Sequence, residues 1–175
     1  MDNLLSSVRS ILLTTPERWM KLTETLPSDL LFAPAAEGEW SAVQCLQHMI
    51  DTERIFQTRL QAFLEGRDFP DFNPDVQGTQ AEELPSASAL AATFAKLRVQ
   101  SLQSLSQIDE NDLDRQSRHQ RLGPVTLRMM IHEWAAHDLS HTVQAEEAIM
   151  QPFIQGSGPW KQFFTDHVKG LGIGD

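Results

Sequence analysis

Two imidazoles set four residues apart carry the clearest chemistry in this chain. They are His137 and His141, in the run His132-Glu-Trp-Ala-Ala-His137-Asp-Leu-Ser-His141-Thr-Val-Gln144. On an α-helix, residues i and i+4 lie one above the other, so both rings can reach a single atom. Neutral imidazole ligates zinc, nickel, copper and iron, and such a pair fills two coordination positions together. The spacing alone arises often by chance, and direction adds weight to it. Counted at about 100° per residue from Trp134, the apolar Leu127, Met130, Ile131, Ala145, Ala148 and Ile149 fall within about 60°, and so do His137, Asp138 and His141. Unpaired polar groups on a buried face are costly, and a metal with a supporting carboxylate would satisfy all three together. The reading without a metal is a pair of hydrogen-bonded core histidines. His132 falls about 160° away and faces solvent.

The helix that carries this pair is the last of four amphipathic segments. The first shows Leu4, Leu5, Val8, Ile11, Leu12, Trp19, Leu22 and Leu26 at spacings of three and four. Pro16 makes it two short helices or one kinked one, ending at Leu26-Pro27-Ser28-Asp29. After a loop through Ala33 to Glu39, Ser41 caps a second helix whose stripe is Val43, Leu46, Ile50, Phe56, Leu60 and Leu64, up to Gly66. His48 lies off that stripe, about 160° from Leu46, so periodicity does not place it inside. Residues 67–85, with Pro70, Pro74, Gly78 and Pro85, form a long crossover or surface loop, a candidate lid. The third helix starts near Ser86 or Ser88 and carries Leu90, Phe94, Leu97 and Leu105 to about Gln107. A polar stretch from Asp109 to Pro124 leads to Thr126, the cap of the fourth helix, which runs to about Met150 before Pro152 stops it. A short aromatic helix follows, before the Gly-rich end. With no convincing strand, the pattern predicts an all-α, four-helix bundle with a long crossover between the second and third helices and a short C-terminal helix.

Composition sets the outer limits. The 175 residues make one domain, 1–175, large enough for a substantial core. A net charge of -10, from 24 acidic and 14 basic residues, argues against a nucleic-acid surface. Cys45 is the single cysteine, so there is no disulfide framework and any metal must be held by His and carboxylates. The start of the chain lacks the features of a signal peptide, and no apolar run approaches the roughly 18 to 20 residues needed to span a bilayer. The expectation is a cytoplasmic protein without nucleic-acid or membrane partners.

Trp40-Ser41-Ala42-Val43-Gln44-Cys45-Leu46-Gln47-His48, followed far downstream by Gly123-Pro124-Val125-Thr126-Leu127 and by His137-Asp-Leu-Ser-His141-Thr-Val-Gln144, resembles the DinB-like family of four-helix-bundle metalloproteins. That family's pattern is a Trp-Ser lead into a helix bearing one His, then a late helix bearing HxxxH. The resemblance covers most of the chain and implies a three-histidine metal site made of His48, His137 and His141. Three protein ligands leave positions open, as in catalytic rather than structural sites. The ion it implies is divalent, zinc or nickel first, iron or manganese after them. The resemblance also implies a small-molecule substrate and a homodimer. Some members are similar to thiol transferases that join a low-molecular-weight thiol to an electrophile, a reaction a metal assists by stabilising the thiolate. The competing expectation is a metal-binding module without turnover, with a stress-response or regulatory role.

Other polar residues read less specifically. Asp138 orients a ligand imidazole or pairs with a basic residue from another helix. Glu53 falls about 20° from the centre of the second helix's stripe, where an ion pair is the preferred role over a general base of raised pKa. Gln144, one turn past His141, either reaches bound water or substrate or sits on an exposed edge. Cys45 reads as a small buried hydrophobe. His119 and His167 read as surface residues, and Trp19, Trp40, Trp134 and Trp160 as anchors in the core or at helix starts.

Overall fold

The structure is a computed structural model that describes residues 4–73, 77–79 and 83–169; Pro74 of the long connection and the Gly-rich end lie outside them. Four long helices make the bundle: α1 (Leu4–Thr25), α3 (Ala42–Glu65), α4 (Ala87–Leu105) and α5 (Leu127–Gly156). A short α2 (Ser28–Phe32) sits in the first connection, and a 3-10 segment (Gly158–His167) follows α5. Three of the four long helices, α3, α4 and α5, begin at a side-chain cap that the sequence offers. Ser41 accepts from the Gln44 backbone while the Gln44 side chain accepts from the Ser41 backbone, closing a capping box. Ser86 and Thr126 accept in the same way from Ala89 and Met129. α3 ends at Gly66, whose φ of +64° is a left-handed conformation that side chains other than glycine's resist.

α1 and α3 each pack against both α4 and α5, while neither α1 with α3 nor α4 with α5 forms a close pair. The first and second long helices, and likewise the third and fourth, therefore occupy diagonals, while α3 and α4 are neighbours, an arrangement the long connections allow. Two apolar clusters fill the interior. One gathers Leu12, Phe56, Phe63, Leu105, Ile131 and Trp134; the other gathers Trp19, Leu31, Leu46, Ile50, Phe94 and Ala145.

Between the two clusters lies a layer of charge. Arg98 on α4 donates to both oxygens of Glu53 on α3 (2.8 and 2.9 Å) and both of Asp138 on α5 (2.8 and 2.7 Å). All three are at most 2% exposed. Trp134 Nε1 also donates to Glu53, at 3.2 Å. The fourth helix joins through a missing hydrogen. Pro16 has no N–H to give the Leu12 carbonyl one turn back, and Arg98 Nη1 donates to that carbonyl instead, at 2.9 Å. Pro16 therefore lies inside one continuous α1, where the sequence left open two helices or a kinked one.

Four expectations need correction. The polar stretch before α5 contains an antiparallel hairpin, β1 (Gln116–His119) and β2 (Gly123–Thr126), with Gln116 opposite Thr126 and His119 opposite Gly123. β1 is too polar to show an alternating pattern, and pairing with Phe69 of the long connection supports it from the other side. Pro152 does not end α5, because packing of Ile154 holds the turns beyond it, as do two bonds of Gln151, which donates to the His167 carbonyl and accepts from the Lys169 amide. His119, at the end of β1, is buried at 4% exposure, edge-on against Phe69 and paired with Asp71 of the long connection. Trp160 is exposed on the terminal segment, no anchor of the core. Trp19 and Trp134 are fully buried, and His132 and His167 face solvent as expected.

Candidate metal centre

α3 and α5 run side by side, and at the level of the charged layer they bring three imidazoles together. His48 comes from the second turn of α3, which the Ser41 box starts at a fixed register. His137 and His141 come from successive turns of α5. His48 Nε2 and His137 Nε2 are 3.1 Å apart, and the three rings offer one nitrogen each, all within 4.8 Å of one another. Two nitrogens on a tetrahedral zinc, each about 2.0–2.1 Å from it, sit roughly 3.4 Å apart, so the spacing is that of a chelating set. His48, which periodicity did not place inside, is half-buried because α5 leans against that edge of α3.

Each ring is held from outside. His141 Nδ1 lies 2.8 Å from Gln144 Oε1, so Nδ1–H donates there and Nε2 is left for a metal. Phe56 meets His137 edge-on at 5.5 Å and stacks on Trp134 at 4.9 Å. Trp40 covers the other side, 5.0 Å from His48 and stacked over His141 at 6.0 Å. Burial, reinforced by the His141 and His48 rings and by Arg98 and Arg59, pushes His137 down to about 3. Burial also lowers His141, against the opposing pull of Gln144 and Asp138. The His137 and His141 rings are thereby kept neutral, the state a metal requires.

The cluster opens onto a cleft of about 510 Å³. α3 lines it with His48, Thr52, Ile55, Phe56 and Arg59, and α5 with Met129, Met130, Glu133, His137 and His141. The opposite wall is Phe69, Asp71 and Phe72 of the long connection with His119, Arg121, Leu122 and Val125 of the hairpin. Asp71 ties that wall together, 2.8 Å from Arg121 Nε and 3.3 Å from His119 Nε2. His119 Nδ1 accepts from the Arg121 and Leu122 amides, so Nε2 carries the hydrogen toward Asp71.

The sequence singled out several residues whose places are now clear. Glu53 and Asp138 belong to the Arg98 ion network. Gln144 contacts a ligand candidate directly, His141. Cys45 is buried, with its thiol pushed up to about 12 by that burial, and is no ligand of the cluster. Sequence reasoning missed Arg98, although it stands one turn after Phe94 and one heptad before Leu105 on the apolar stripe, the same signal that marked Glu53. It also missed Arg59, Asp71 and Arg121, which only the folded hairpin and connection bring to one cleft.

Comparison with known proteins agrees with this architecture. The sequence profile of the DinB superfamily matches residues 11–145. YfiT from Bacillus subtilis, described as a probable metal-dependent hydrolase with an unusual four-helix bundle topology, superimposes with a TM-score of 0.73 at 16% identity, covering 82% of this chain and 85% of its own. A DinB-like protein, YjoA, also from Bacillus subtilis, superimposes with a TM-score of 0.56 at 22% identity, covering 82% and 90%. No curated protein matches the sequence. Among the described residues, no helix is long and apolar enough to cross a membrane.

Proposed function

The chain belongs to the DinB superfamily, and from that premise we propose that His48, His137 and His141 hold one divalent metal ion that serves a reaction on a small molecule, the transfer of a thiol to an electrophile. The observation that carries this reading is the convergence of three imidazole nitrogens on the wall of a cleft. Three nitrogen donors with no carboxylate among them suit zinc or nickel first, with iron or manganese after. A divalent ion bound there would supply Lewis acidity and favour the thiolate form of a bound thiol at neutral pH.

The chain's own residues prepare that chemistry. Gln144 fixes the tautomer and ring plane of His141. Trp40 and Phe56 wall the cluster with apolar surface, which limits water and strengthens electrostatic interactions inside. Met129, Met130 and Val125 give the cleft apolar surface for the body of a substrate. The description of the Bacillus subtilis relative sets hydrolysis beside transfer as a second reading, and the same open cluster would serve it.

Metal analysis of the purified protein and of His137→Ala is the first test. We expect close to one ion per chain in the wild type and little in the variant; negligible metal in both would overturn the site. The metal-loaded protein is then incubated with a panel of thiols and electrophiles, and with esters and amides. Conjugation that is lost in His137→Ala supports transfer, and hydrolysis lost in the same way supports the second reading. Metal binding with neither would leave a module without turnover.

A further inference from the structure

Arg59 is a largely enclosed cation with little to hold. It lies on α3, and only 12% of its side chain is exposed. Its guanidinium lies over two rings, 6.0 Å from the centroid of Phe56 and 5.6 Å from that of Phe69. It pairs with Glu133 through Nη1 at 3.7 Å, beyond hydrogen-bond length, and its Nε is buried with no hydrogen-bond partner. Asp71, the other carboxylate on the cleft, is engaged by Arg121 and His119. Arg98 shows what a satisfied guanidinium looks like in this interior, with all three nitrogens bonded to oxygens. A buried charge left so short of partners is costly unless something else completes it.

Its position says what that would be. Arg59 and the three histidines line the same cleft, and Phe56 touches both, edge-on to His137 and under the guanidinium. Eleven residues separate His48 from Arg59 on α3, a rise of about 16 Å between their Cα atoms. The surface between them is largely apolar, from Ile55, Phe56 and Met130.

We propose that Arg59 binds the carboxylate of an elongated small molecule whose other end reaches the three histidines, the planar guanidinium pairing with both carboxylate oxygens. The substrate class is then a molecule with a metal-seeking head, an apolar middle and a carboxylate tail. The head of this assignment rests on the proposed metal site, whereas the tail rests on Arg59 and its surroundings alone. A carboxylate suits the site because the guanidinium presents paired donors in one plane, which matches two oxygens on one carbon.

The test compares ω-mercaptoalkanoates of graded chain length with ω-mercaptoalkanols of equal length, titrated calorimetrically into cobalt-loaded protein. At the best length the acid is expected to bind about tenfold more tightly than the alcohol, in keeping with a charge-assisted pair. Arg59→Gln should bring the two affinities together without changing cobalt content, and Arg59→Lys, which keeps charge without the planar fork, should retain part of the preference. The lysine variant decides the matter if the glutamine variant melts early. Equal affinities for acid and alcohol in the wild type, or a preference that survives Arg59→Gln, would overturn the proposal. If the protein takes up no cobalt, the metal reading fails by itself. Octanoate and octanol titrated into the metal-free protein then decide the role of Arg59: a preference for the acid lost in Arg59→Gln upholds it, and no preference refutes it.

Discussion

Two polar clusters sit side by side in the same interior, sharing α3 and α5, and they are built on opposite terms. Glu53, Arg98 and Asp138 form a closed set in which the guanidinium nitrogens meet the carboxylate oxygens and the Leu12 carbonyl. His48, His137 and His141 turn their nitrogens toward one another and toward a cleft, with Gln144 supporting from behind. Asp138 and His137 are adjacent in sequence and take different sides of this division. Burial alone therefore does not mark a functional residue here. A polar group whose bonding is complete within the fold serves the fold, and a group whose lone pair is left over serves something that arrives later.

The comparison can be strained from both ends. Removing the partner shared by two buried carboxylates should have the largest effect: Arg98→Ala is expected to cost about 3–5 kcal/mol of stability in denaturant unfolding, since it strands Glu53, Asp138 and the Leu12 carbonyl together. Replacing Glu53, Arg98 and Asp138 at once by apolar residues of similar volume should recover most of that loss. An Arg98→Ala protein within about 1 kcal/mol of wild type would erase the distinction drawn between the clusters. On the histidine side the effect moves from stability to metal. Gln144→Leu should weaken metal binding by about 10–100-fold in a competition titration, while the metal-free protein unfolds at nearly the wild-type denaturant concentration.

The smallest expected effect is in pH. An unfolded histidine titrates near 6.5, and His137 in the folded metal-free protein is held down to about 3. The depressed folded value means that the unfolded chain takes up the proton first. The contribution of His137 is thus complete above about 6.5 and is lost as pH falls toward about 3. Over the first unit below 6.5 the loss should be no more than about 1 kcal/mol. Thermal unfolding of the metal-free protein across that window should slope less in His137→Gln, and an unchanged slope would place the titrating group elsewhere.

Much of this was legible because helices advertise themselves. Leu90, Phe94, Leu97 and Leu105, or Val43, Leu46 and Ile50, recur at helical spacing, and Ser41 and Thr126 mark where the helices start. The HxxxH pair was legible for the same reason, since both residues share one helix. His48 was reached through the family pattern, its edge position giving no period to read. Arg98 carried a readable signal, a charge within an apolar stripe. Its role depended on Pro16, eighty-two positions away, leaving a carbonyl without its donor. His119 and Arg59 were beyond local reading. The first is buried only because a polar hairpin folds beneath Phe69, and the second has meaning only beside the cleft that the hairpin closes.

That cleft has a further consequence for how such a molecule can diversify. Its lining comes from α3 and Trp40 just before it, from α5, and from two short stretches, Phe69–Phe72 and His119–Val125; α1 and α4 contribute no lining residue. The pair α1 and α4 can accumulate neutral changes under two requirements, that they continue to pack and that they keep Arg98 and Pro16 for the ion layer. The two short stretches bear no ligand candidate and form no part of the four long helices. A lineage could therefore exchange one guest for another by rewriting positions in these two stretches, inheriting the histidine cluster and the ion layer beneath it without alteration.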